Sequence, residues 1–285
     1  MLAAPPAPDL RLRYTPPPLP IEARRLAPAS ALPSVERDLA CALDPVRLSG
    51  RVGIAPDDWQ AELLRCRDPQ VLLNCSRQVG KSTTTATLAV HTAIYEPGAP
   101  ILLLSPSLRQ SGQLFAKVKW VLKRLGREFA VAETDNALSV RLANGSEIHS
   151  LPGKAGTVRG FSAVALIIVD EAAFVAEDLF SAVSPMLAVS GGRLVLLSTP
   201  FGKRGFFYEQ WANGGADWRR FRVTADQCPR IPPEFLARER RKLGILYGQE
   251  YECLFLDVIM SLFRHDDIAA ALDNDVRPMF GLEVA

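Results

Sequence analysis

Four short, largely apolar runs, at 71–74, 101–104, 164–169 and 193–198, alternate along the chain with longer stretches at 81–95, 109–125 and 177–188. The short runs carry the length and aliphatic content of strands buried on both faces, and the longer stretches have the length of helices packed over them. Strands alternating with helices of this length predict an α/β fold, a mostly parallel sheet flanked by helices. Between the second and third runs, Leu138 to Ser150 alternates around Asn144-Gly145. That dipeptide favours a two-residue turn, so a β-hairpin insertion in the α/β core is expected there.

The ends of the chain read differently. Residues 1–50 hold ten of the 22 prolines, Pro16-Pro17-Pro18 among them, and predict an extended, poorly ordered arm. Within it Val35 to Leu43 has the pattern of one short helix, with Ser34 as a candidate N-cap. After Phe221-Arg222-Val223 the composition changes. Pro232-Pro233 precedes a basic helix-like stretch from Glu234 to Leu246, and Tyr247 to Phe255 fits either a helix or a strand.

Chemistry sits at the ends of the predicted strands. Val71-Leu72-Leu73 leads into Cys75-Ser76-Arg77-Gln78-Val79-Gly80-Lys81-Ser82, and a helix follows from Thr83 to Tyr95. Strand, loop and helix in that order form the context of a phosphate-binding loop, although Cys75 stands at the usual first glycine. Backbone N–H groups of such a loop surround a polyphosphate, Lys81 adds a positive charge, and Ser82 offers a hydroxyl to Mg²⁺. Leu166-Ile167-Ile168-Val169 ends in Asp170-Glu171, as expected for a metal-holding Asp followed by a water-activating Glu. A core strand running into a helix N-terminus would favour the same carboxylates. Upstream, Gln60 in Asp57-Asp58-Trp59-Gln60 has an amide able to read the hydrogen-bonding edges of adenine, unless it only opens a surface helix. Ser198-Thr199-Pro200 closes the fourth run, where a hydroxyl can sense a γ-phosphate or simply make a turn. The order of these segments predicts a chain that binds and hydrolyses a nucleoside triphosphate, with ATP and Mg²⁺ as cofactors.

These residues resemble the ATPase region of the large terminase subunit, the DNA-packaging motor of tailed bacteriophages. The resemblance is carried by Asp58-Trp59-Gln60, the arginine-bearing loop Ser76 to Ser82, Leu103-Leu104-Ser105-Pro106-Ser107, Arg159-Gly160, Asp170-Glu171 and Ser198-Thr199-Pro200. It implies a P-loop NTPase fold of the RecA/ASCE type, with an ATPase core over 51–225 and a small C-terminal lid over 226–260. Residues 261–285 are expected to be a linker stub toward a nuclease domain that does not follow. It further implies Arg77 and Arg159 as charge-stabilising arginines, Arg159 reaching a neighbouring subunit's ATP, with Ser198 and Thr199 coupling hydrolysis to motion. Gly156 and Gly160 around Arg159 fit an exposed turn, which equally suits an ordinary surface arginine. Implied partners are double-stranded DNA, a small terminase subunit, a portal protein and further copies of the chain in a ring. A helicase-like remodeller would need a second RecA-like domain, for which about 85 residues after Pro200 are too few. A prophage remnant that binds nucleotide or terminase partners without packaging is the other alternative.

Composition adds limits. The net charge of +2 does not announce a nucleic-acid binder, yet basic residues cluster at 117–127, 203–204, 219–222 and 238–242. Each cluster suits a solvated face as well as a DNA contact. Five scattered cysteines and three histidines form no metal-ligand spacing, which fits a reduced cytoplasmic setting; the resemblance implies that of a bacterial host. No run approaches the ~18 apolar residues of a membrane span, so no membrane association is expected.

Overall fold

The computed structural model describes residues 35–126 and 132–256. Helices α1 (Val35–Leu43), α2 (Pro45–Arg51) and α3 (Asp58–Arg65) lead into strand β1 (Gln70–Cys75) and helix α4 (Lys81–Tyr95). Then come β2 (Pro100–Ser105), α5 (Leu108–Leu125), β3 (Ala132–Asp135), β4 (Ser139–Leu142), β5 (Glu147–Pro152) and α6 (Ala155–Val158). The chain continues with β6 (Leu166–Asp170), α7 (Glu177–Leu187), β7 (Arg193–Ser198), α8 (Gly205–Asn213) and β8 (Trp218–Val223). Helices α9 (Pro233–Leu243) and α10 (Leu246–Glu252) end the described chain.

The eight strands form one sheet in the order β3-β4-β5-β2-β6-β7-β1-β8. All neighbours from β5 to β8 are parallel; the β3–β4 and β4–β5 pairs are antiparallel. Successive side chains of a strand point to opposite faces, and the core divides accordingly. Val71, Leu73, Ile101, Leu103, Ile168 and Val195 pack with α4 and α5 on one face. Leu72, Leu102, Leu104, Ile167, Val169 and Leu196 pack with α7 and α8 on the other. Strands buried on both sides need continuous apolar runs, which is why these four runs stand out in the sequence.

Several features bear on the expectations. Within the arm expected over 1–50, α1 is the short helix expected at Val35 to Leu43, whereas α2 departs from the expectation: the two bring Cys41 and Leu48 into the core, and Asp44 caps α2 through the Val46 N–H at 3.1 Å. Proline at the start of α2 costs nothing, because a first-turn N–H has no helical partner. The hairpin expected around Asn144-Gly145 forms as β4 and β5. Its second strand, β5, pairs in parallel with β2, so the hairpin and β3 extend the main sheet. Strand β8 is an addition, hidden in the sequence because Arg219, Arg220 and Arg222 interrupt its apolar pattern. On this edge strand Trp218, Phe221 and Val223 are buried, and the Arg220 guanidinium donates to the Gln210, Trp211 and Gly215 carbonyls. Of residues 247–255, those to Glu252 belong to helix α10 and the last three continue without regular structure; a separate small cluster joins Leu236, Tyr247 and Ala225. Ser34 and the expected linker at 261–285 lie outside the described residues.

Candidate active site

The parallel strands β1, β7 and β6 lie side by side, with Asn74 opposite Ser198 and Asp170 opposite Leu197. Their C-terminal ends therefore open at one edge, where ligands of open α/β sheets bind. The loop after β1 is anchored first and then coiled. The Ser76 N–H donates to Val223 O (2.8 Å) and the Arg77 N–H to Glu250 O (3.3 Å). Gln78 (φ 66°) and Gly80 (φ 93°) then take left-handed conformations that turn the chain into α4. At Gly80 a Cβ would be strained by the backbone φ of 93° and would also press 2.7 Å from the Gln60 amide, so glycine is favoured.

Two pairs form at this edge. Lys81, 9% exposed, places Nζ 2.8 Å from Glu171 Oε1. The Ser82 hydroxyl donates to Asp170 Oδ2 at 3.0 Å. Strand pleating alone would send Asp170 and Glu171 to opposite sides. Glu171 instead adopts φ 52°, ψ 45°, and this turn brings its carboxylate back onto Lys81. A non-glycine residue held left-handed costs about 1–3 kcal/mol and persists only where surroundings enforce it. Here the Glu171 N–H donates to Asp170 Oδ1 (3.0 Å) and Ser198 Oγ donates to Glu171 Oε2 (3.4 Å). Burial raises the Asp170 carboxyl pKa; the Lys81 ammonium opposes this, and the Glu171 carboxylate adds to it.

A cavity of about 370 Å³ is lined by Lys81, Ser82 and Glu171 and also by Arg77, Gln78 and Lys117, with Asp170 reached through its bond from Ser82. A second pocket of about 310 Å³ shares Gly80 and Thr83 with it and extends toward Gln60, Ile54 and Arg230. Gln60 accepts from the Asp57 N–H (2.9 Å) and donates to Val79 O (3.1 Å). Each half of its amide thus keeps one further hydrogen-bonding site. Arg230 binds both carboxylate oxygens of Asp57 (2.8 and 2.7 Å) and also Val79 O (3.2 Å).

The remaining expected residues divide. Val79 and Ser76 are buried in the loop, and Thr199 is buried beyond Ser198. Cys75 is fully buried and burial raises its thiol pKa steeply, which leaves it inert. Arg77 lines the cavity but its guanidinium pairs with Glu250 on α10. Arg159 stands apart. It is exposed at the end of α6 and lines a different pocket, of about 540 Å³, with Phe161 and Asp178. Two residues of these pockets, Lys117 and Arg230, escape sequence reasoning. Lys117 sits within a basic run on a helix, and its only signal is adjacency to the apolar stripe of Leu114 and Val118.

No group of three or more His, Cys, Asp or Glu side chains able to hold a metal occurs among the described residues. Ser82 and Asp170 instead offer two hard oxygens beside the cavity. That set suits Mg²⁺, which takes few protein ligands and completes its shell with phosphate and water.

The family described as "Terminase large subunit, T4likevirus-type, N-terminal" matches residues 72–270. The terminase large subunit of Thermus virus P23-45 is 26% identical over 262 residues, covering 79% of this chain and 54% of that protein. That of Thermus phage G20c is 26% identical over 187 residues, covering 59% and 38%. The chain thus spans about half the length, or less, of these curated relatives. Among solved structures, the Thermus phage P74-26 large terminase ATPase domain superposes with TM-score 0.63 at 23% identity, covering 73% of this chain and 97% of that one. The large terminase of another thermophilic bacteriophage, in complex with ADP, gives 0.59 at 15% identity, covering 70% and 54%. The overall fold is that of these ASCE-type P-loop ATPase domains, and the chain belongs to the terminase large-subunit family, within its N-terminal ATPase domain.

Proposed function

We propose that this chain is the Mg²⁺-dependent ATPase of a DNA-packaging motor, driving double-stranded viral DNA into a procapsid. The observation that carries the reading is the meeting of the Lys81–Glu171 pair (2.8 Å) and the Ser82–Asp170 pair (3.0 Å) at one edge of the sheet, with Lys81, Ser82 and Glu171 lining one cavity there. In the nucleotide-bound state the loop from Cys75 to Ser82 wraps the polyphosphate, and Lys81 leaves Glu171 to neutralise it. Ser82 and Asp170 would hold Mg²⁺, which would supply positive charge to stabilise the phosphates during hydrolysis. Released from Lys81, Glu171 orients the attacking water and takes its proton. The Gln60 amide meets the base in the adjoining pocket.

Ser198 reports on this exchange, because its hydroxyl already touches Glu171. Thr199 passes the change to the loop 200–204. Arg77 couples the phosphate loop to α10, and so to the lid formed by α9 and α10. Arg159 lines no part of its own phosphate cavity, which fits delivery to a neighbour's ATP in a ring of copies. Lys203, Arg204 and the basic face of α9 are the proposed DNA-contacting surface, binding phosphates without sequence preference. The small terminase subunit and portal protein complete the machine, which works in the host cytoplasm and, transiently, on the procapsid.

Turnover of Mg-ATP by the wild type, against Lys81→Ala and Glu171→Ala, tests the assignment. Lys81→Ala should lose binding and Glu171→Ala only turnover. Full turnover by Glu171→Ala would overturn it.

A further inference from the structure

Basic residues on α5 have different fates. Lys119 pairs with Asp135 at 2.6 Å, and Arg124 stacks over Trp120 (4.5 Å) and donates to Val52 O. Lys117 has no hydrogen-bond or ion-pair partner among the described residues. It stands beside the buried stripe of Leu114, Val118 and Val121, half-buried, and its side chain lines the phosphate cavity with Lys81, Ser82 and Glu171.

We propose that Lys117 binds the γ-phosphate, a second ammonium that helix α5 supplies to the site in addition to Lys81. This deepens the nucleotide reading above and rests on it. Three observations support it. A desolvated ammonium without a partner is costly, and a phosphate oxygen is the anion the cavity is shaped to receive. Burial lowers the Lys117 pKa while the Asp170 carboxylate opposes that, so its charge already lies in the field of the metal-side carboxylate. Finally, Lys117 lines the cavity holding Glu171 and is absent from the pocket around Gln60. The base end of a nucleotide lies at Gln60 and the attacked end at Glu171, so Lys117 belongs to the γ end.

Lys81 must give up Glu171 to bind phosphate, whereas Lys117 gives up nothing. It therefore discriminates triphosphate from diphosphate and transmits that difference to α5, whose first turn is capped by Ser107 just after β2.

The test is equilibrium binding of Mg-ATPγS and Mg-ADP to the full chain, for wild type, Lys117→Ala, Lys117→Met and Lys117→Arg. Lys123→Ala, on the exposed side of the same helix, is the control. A charged hydrogen bond lost in a partly buried site weakens binding roughly ten- to a hundredfold. That loss is expected for ATPγS in the Ala and Met variants, with ADP affinity within about threefold of wild type, on the same scale. Arg should restore most of the difference, and Lys123→Ala should change neither ligand. Unchanged ATPγS affinity, or equal losses for both nucleotides, overturns the proposal. A wild type that binds neither nucleotide sinks the nucleotide reading itself, and the proposal with it.

Discussion

Gly80→Ala examines whether backbone geometry at the phosphate loop is as constrained as it looks. Gly80 has φ 93°, and its new Cβ would sit 2.7 Å from Gln60 Nε2 and 3.8 Å from Arg230 Nη2. The left-handed conformation costs an L-residue roughly 1–2 kcal/mol. Pushing the Gln60 amide aside breaks its bond to Val79 O, worth about 1 kcal/mol. The total is about 2–3 kcal/mol. For a domain of this size each kcal/mol lowers the melting temperature by about 2–4 °C, so a fall of roughly 4–12 °C is expected. Gly112→Ala is the matched control: it lies inside α5 with open space around the new Cβ. There alanine should stabilise by about 0.5–1 kcal/mol through chain entropy and helix propensity. Thermal unfolding followed by circular dichroism reads both. A Gly80→Ala protein melting within a degree of wild type, or a Gly112→Ala protein that is equally damaged, would refute the reasoning.

Three further outcomes are expected. Glu171→Gln should lower steady-state ATP turnover by about a hundredfold or more while retaining Mg-ATP binding, measured by phosphate release and calorimetry. Asp170→Asn should leave the nucleotide-free protein as stable as wild type or more so at pH 7. The fold raises the Asp170 pKa, so its ionisation costs stability as pH rises through the folded pKa, and asparagine removes that cost; a clear drop in melting temperature would count against it. Mixing Arg159→Ala with Glu171→Gln should recover turnover that neither has alone, since each supplies what its neighbour lacks; no recovery at assembling concentrations argues against delivery in trans.

Much of this molecule is legible from one dimension. Strands buried on both faces leave unbroken aliphatic runs, and glycine, lysine and serine must be consecutive where a helix begins at a phosphate. Local rules of this kind located β1, β2, β6 and β7, helix α4 with both ends, and the places of Gly80 to Ser82 at the start of α4 and of Asp170 and Glu171 at the end of β6. Strand β8 escaped because an edge strand tolerates arginines that find backbone carbonyls elsewhere in the fold. Helix α2 escaped because its proline and polar residues resemble a loop until Leu48 meets the core. Tertiary structure alone decided that Ser198 touches Glu171, that Arg77 belongs to Glu250, and that Lys117 lines the cavity with Lys81 and Glu171. Each of these contacts unites segments 27 to 173 residues apart, or a helix face with a distant loop, and depends on strand order and helix rotation. Sequence records which residues can do chemistry; the sheet's order decides which of them meet.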